Sequence, residues 1–129
     1  MIPTLNTTGK QMKELVKNIP DNKPLVMINF LKFKEKVENS ELTGEEQYAL
    51  YGKAFMPFVK TSGAKIIWSG KPMMYFIGNE DDTLWDKVLL VEYPSKQHFL
   101  DMISAPDYPH ELRSAALLDS KLMVSLKES

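Results

Sequence analysis

The sequence predicts an α+β domain in which two β-α-β units share one antiparallel sheet, preceded by an accessory helix. Three observations carry this expectation. Leu25–Phe33 and Lys87–Tyr93 are short runs that are apolar on both alternating sets, as central strands are. Residues 86–108 read as such a strand, then a tight turn, then an amphipathic helix that stops at Pro106. Thr8-Gly-Lys-Gln11 and Thr43-Gly-Glu-Glu46 have the form of capping boxes, which mark helix starts.

In chain order, the first box leads into Met12, Leu15, Val16 and Ile19, spaced as one face of a helix that ends at Pro20. Strand one, Leu25–Phe33, puts Leu25, Met27, Leu31 and Phe33 on one side and Val26, Ile28 and Phe30 on the other. Asn29 interrupts the first set. A charged loop, 34–40, precedes the second box. The helix that follows lines up Tyr48, Tyr51, Phe55 and Phe58, with Pro57 expected to kink or weaken it near its end.

Strand two covers 64–68, is interrupted by Gly70-Lys-Pro72, and resumes over 73–77. Pro72 cannot donate to a ladder, which makes this an edge or a bend. An acidic turn leads to strand three, Lys87–Tyr93. Ser95 caps a helix with Phe99, Met102 and Ile103 on its apolar face. A short helix within 107–117, where His110 follows Pro109 at a helix start, and a strand over 121–126, with Leu122, Val124 and Leu126 on one side, complete the chain.

This order is the split βαβ, or ferredoxin-like, arrangement, in which strands one and three are central. Both crossovers share a hand, so the helices cover one sheet face only. The other face measures about 300 Å² from ~17 Å strands at ~4.8 Å spacing, close to what a monomer leaves exposed. A homodimer formed through sheet faces follows as the expectation.

The 129 residues are read as one domain, with 1–23 as an accessory helix segment. A net charge of −1 and no long run of like charge argue against nucleic acid or a membrane surface as partner. There is no cysteine, so disulfides, thiol nucleophiles and thiolate metal sites are excluded. The first residues do not have the form of a signal peptide and no apolar stretch is long enough to span a bilayer, so the cytoplasm is the expected location. His98 and His110 fit no metal-ligand spacing, and no P-loop, dinucleotide fingerprint or nucleophile elbow is present. Neither a metal nor a cofactor is expected.

Asn29-Phe-Leu-Lys-Phe33, Glu46-Gln-Tyr48 with Tyr51, Val91-Glu-Tyr-Pro-Ser95, and Ala105-Pro-Asp-Tyr108 with Arg113 and Ser114-Ala-Ala116 resemble the dimeric α+β barrel superfamily. Within it they resemble the family catalogued as domain of unknown function 1330. The resemblance spans residues 24–126 and implies a dimeric fold. The superfamily hosts oxygenases, isomerases, cyclases and haem enzymes as well as proteins without known activity, so it implies no reaction. Haem-degrading relatives use an asparagine, a tryptophan and a histidine. Asn29 matches the first, but the other two fall near Met102 and Leu112, and haem chemistry is therefore not expected.

The candidate site is drawn from six residues. Asn29, inward on an apolar set, is either a ligand contact or a structural hydrogen bond. Tyr48, Tyr51 and Trp68 are candidates to line a pocket between the second helix and the sheet, or are plain core. Glu92 and Arg113 form a candidate catalytic or anion-binding pair, with a tether between helix and sheet as the structural alternative. Two functions stay open. One is a cofactor-independent enzyme acting on a small aromatic or oxygenated organic molecule. The other is a homodimer that binds small molecules without catalysis, or is purely structural.

Overall fold

The computed structural model describes residues 2–128. Its elements are α1 (Gly9–Asn18), β1 (Leu25–Phe33), α2 (Gly44–Ser62), β2 (Lys65–Gly70), β3 (Lys87–Tyr93), α3 (Lys96–Ile103), α4 (His110–Ala116) and β4 (Leu117–Leu126). The four strands form one antiparallel sheet in the order β2-β3-β1-β4. This is the ferredoxin-like α+β arrangement, with β1 and β3 central as their two-sided apolar pattern requires.

Local signals start the helices. Thr8 and Thr43 each accept from the amide three residues on, and Gln11 and Glu46 reach back to the cap amides. The Ser95 hydroxyl accepts from the His98 amide at the start of α3. α2 continues through Pro57, which lies on its exposed side, and ends at Gly63 with φ 74°, a left-handed conformation that suits glycine.

Register assigns the two sheet faces, because cross-strand partners share one. Leu25, Met27, Asn29 and Leu31 of β1 lie on the helix side with Leu89, Val91 and Tyr93 of β3. They pack with Tyr48, Tyr51, Phe55 and Val59 of α2, Met102 of α3, and Ala116 and Leu117 at the α4–β4 junction. Ile28, Phe30, Leu90, Trp68 and Met123 lie on the opposite, uncovered face.

Three boundaries differ from the sequence expectation. Residues 73–77 form no strand. β2 is an edge strand, Pro72 withholds a donor, and β3 begins only at Lys87, so no ladder reaches them. β2 runs over Lys65–Gly70, so Gly70, expected to interrupt the strand, is its last residue and pairs with Val88. β4 begins at Leu117, directly after α4, where the Lys34 amide bonds the Ala116 carbonyl at 3.0 Å.

Candidate functional site

A cavity of about 740 Å³ lies beside α2, between that helix and the β2–β3 side of the sheet. Its size is that of a small-molecule site. The inner wall is aromatic and aliphatic, from Phe33, Tyr48, Tyr51, Phe55 and Leu89. Lys87 and Ser69 are among its polar groups, and Glu35, Glu45 and Lys71 stand exposed at the mouth.

The aromatic wall is built by helical spacing. Tyr48, Tyr51 and Phe55 share one side of α2, with ring centroids 5.3 and 5.5 Å apart in succession, and Phe33 meets Tyr48 at 5.4 Å. Tyr108, placed by the turn after α3, joins them, and the hydroxyls of Tyr51 and Tyr108 share a short hydrogen bond. Burial pushes the Tyr48 phenol up to about 12, with the Arg113 guanidinium pulling the other way. Burial likewise pushes Tyr51, Tyr93 and Tyr108 upward, and Arg113 again opposes the shift at Tyr51 and Tyr108. All four phenols are therefore neutral donors at ordinary pH.

Gly52 also lines the cavity. A Cβ built there meets nothing within 4 Å. A glycine inside a helix costs roughly 0.5–1 kcal/mol relative to alanine, and here it leaves space instead of packing.

The six residues singled out from the sequence do not come together. Tyr48 and Tyr51 line the cavity. Asn29 is buried on the helix side, and its Nδ2 donates to the Leu89 carbonyl at 3.1 Å, while its Oδ1 has no hydrogen-bond partner among the described residues. Trp68 is 62% exposed and lies on the opposite sheet face. A β-bulge at Ile67 shifts the register there, so Trp68 pairs with Leu90 rather than with a helix-facing residue.

Glu92 and Arg113 form no pair. Glu92 is opposite Val26 and Lys65, on the uncovered face, whereas Arg113 belongs to α4 on the helix side. Strand alternation together with the docking of α4 on the other side separates them by the thickness of the sheet. Arg113 instead acts on the tyrosine cluster, and among the described residues it makes no ion pair.

Lys87 and Gly52 are among the lining residues that the sequence pattern left unmarked as pocket candidates. Lys87 was read only as the first residue of a strand, although its alternation with Leu89, Val91 and Tyr93 points it inward. Gly52 carried the signal of a glycine within a helical pattern. Among the described residues, no three His, Asp or Glu side chains gather as a metal-ligand group, and no helix is long and apolar enough to cross a membrane.

No protein-family model matches the chain, and no curated protein matches it. Solved structures do. A dimeric protein of unknown function with a ferredoxin-like fold from Bacteroides fragilis is similar at TM-score 0.50 and 12% identity, over 81% of this chain and 96% of that one. A hydroxynitrile lyase from Passiflora edulis is similar at TM-score 0.58 and 11% identity, over 84% of this chain and 96% of that one. At such identities these two show the fold alone. A protein of unknown function from Rhodopseudomonas palustris is similar at TM-score 0.89 and 30% identity, over 99% of both chains. On that identity over nearly the whole length, this chain belongs to the same family as the Rhodopseudomonas palustris protein.

Proposed function

We propose that the protein binds a small aromatic or oxygenated organic molecule in the cavity between α2 and the sheet. One observation carries this: a half-open space of 740 Å³ with an aromatic inner wall and a charged rim, beside which the mid-helix position 52 is glycine. The catalytic form of the reading is a cofactor-independent conversion of that molecule, with buried phenols and a lysine as the groups able to give or hold a proton. The family assignment we favour is the one catalogued as domain of unknown function 1330, on the motifs around Asn29, Tyr48, Glu92 and Tyr108.

Gly52→Leu is the direct test. Position 52 has room for a side chain, so the variant should fold and be no less stable than the parent, while its leucine occupies the cavity. A library of phenols, aryl ketones and aromatic acids should contain compounds that raise the thermal midpoint of the parent and not of the variant. Equal responses in the two proteins would reject the cavity as the site.

We propose further that the protein is a homodimer joined through its uncovered sheet faces. Trp68, Met123, Leu90 and Phe30 form an apolar surface there, with Trp68 62% and Met123 55% exposed. Apolar exposure of this extent is characteristic of an interaction surface.

A further inference from the structure

We propose that the ligand of this cavity is a carboxylic acid, its carboxylate held by the Lys87 ammonium together with the Tyr48 hydroxyl. The inference rests on the small-molecule reading above and adds the charge and the anchor.

Lys87 occupies a position where a cation needs a reason. Its cross-strand partner is Leu31, which is fully buried on the helix side, and the next residues of its own alternating set are the buried Leu89, Val91 and Tyr93. Lys87 therefore projects from the helix-facing side of the sheet into the cavity it lines. Its Nζ stands 5.8 Å from the centroid of the Tyr48 ring. That contact orients a cation without neutralising it.

Three carboxylates, Glu35, Glu45 and Asp86, line the same cavity, but among the described residues none pairs with Lys87. Asp86, the adjacent residue, is engaged by the Lys32 ammonium at 3.3 Å and accepts from the Phe33 amide at 2.8 Å. Among the described residues, Lys87 makes no ion pair and no side-chain hydrogen bond. Glu35 and Glu45 are exposed at the mouth, where water screens them.

Tyr48 supplies the second half. The residue is 6% exposed, yet its hydroxyl has no partner among the described residues. Among the described residues no fully buried side-chain polar atom is left unsatisfied, so this hydroxyl is not sealed in the core; Tyr48 lines the cavity, and the Arg113 guanidinium acts on the same phenol. A half-buried ammonium and an inward phenol O–H, both donors and both unanswered, form a site for a group with two acceptor oxygens. The aromatic wall of Phe33, Tyr51 and Phe55 then meets the body of the acid.

The test uses the whole protein and two matched series: benzoate, phenylacetate and 4-hydroxybenzoate, and their amides. Calorimetric titration should show the parent binding acids at least about tenfold more tightly than the corresponding amides, a difference of about 1.4 kcal/mol. Lys87→Met keeps the length of the stem and should remove that preference while leaving amide affinity within about twofold. Lys87→Arg should retain it. Tyr48→Phe should weaken acids more than amides. Acids and amides binding alike, or a preference that survives in a folded Lys87→Met, would overturn the charge assignment and leave the cavity reading in place. Failure of both series to bind the parent would overturn the two together.

Discussion

The ammonium of Lys96 donates to the carbonyl of Ile19, at 2.6 Å, where the chain leaves α1. A second bond of the same length runs to the Val16 carbonyl, and Asp21 lies 3.1 Å away. The last carbonyls of a helix lack intrahelical donors, and a cation there also meets the negative end of the helix dipole. α1 buries no residue of its own, so this buried lysine is its principal tie to the domain.

Lys96→Met should accordingly cost about 2–3 kcal/mol, the scale of two charge-assisted hydrogen bonds lost at part-buried acceptors. The exposed Asp21 contributes little of that. Denaturant unfolding measures the loss, and amide exchange over residues 9–18 should accelerate beyond the global change. Unaltered exchange in α1 would contradict the tie.

Gly44 opens α2 where three segments meet. A Cβ there would lie 2.6 Å from both the Ala116 carbonyl oxygen and the Lys34 amide nitrogen, and would also press on the Lys34 carbonyl. All three are backbone atoms that side-chain motion cannot relieve. Gly44→Ala should therefore destabilise by about 1–3 kcal/mol or more, by overpacking, despite alanine's better helix propensity. Equilibrium denaturation with retained wild-type stability would show that the junction can open.

The buried phenols dictate an alkaline limit. Tyr48 ionises near 10 when unfolded and near 12 when folded, and Tyr51, Tyr93 and Tyr108 are shifted in the same direction. Above pH 10 the unfolded chain sheds protons that the folded chain keeps. The stabilisation is thus complete below pH 10 and is lost as pH rises through the folded values. Each such phenol removes up to about 1.4 kcal/mol per pH unit in that window. Near-ultraviolet titration should show most phenolate appearing in one cooperative step that coincides with loss of circular dichroism. Four buried tyrosines titrating near 10 in folded protein would refute this.

Arg113 stabilises phenolate without being a structural tie. Arg113→Met should raise the Tyr48 ionisation further, because the nearby cation is gone, and should change stability by less than about 1 kcal/mol. Tyrosine titration and thermal unfolding of one sample read both effects. A loss of several kcal/mol would mean an uncompensated partner remains in the core.

The uncovered sheet face should respond to charge. Trp68→Glu should yield monomers in sedimentation velocity at micromolar concentration, while the parent sediments as a dimer. A parent that stays monomeric would rule out the sheet-face dimer.

Much of the fold was legible from the sequence, because its signals are local or periodic. Thr8 and Thr43 announced their helices through groups within one turn. Leu25–Phe33 and Lys87–Tyr93 announced central strands through apolar residues on both sides, and Pro72 announced the edge. The inward position of Asn29 and the tyrosine stripe of α2 followed from the same periods.

Only the tertiary structure decided which polar residues meet. Glu92 was read as Arg113's partner, yet strand alternation fixes a side and says nothing of which side the helices cover. Trp68 left the cavity because a single bulged residue, Ile67, reset the register of β2. Lys87 and Tyr48 come together from different elements 39 positions apart, through the docking of α2 on the sheet. Periodicity is carried by the chain itself. The cavity, its lysine and the placement of Arg113 beside three phenols arise from packing between elements, which depends on long-range contacts that no local pattern records.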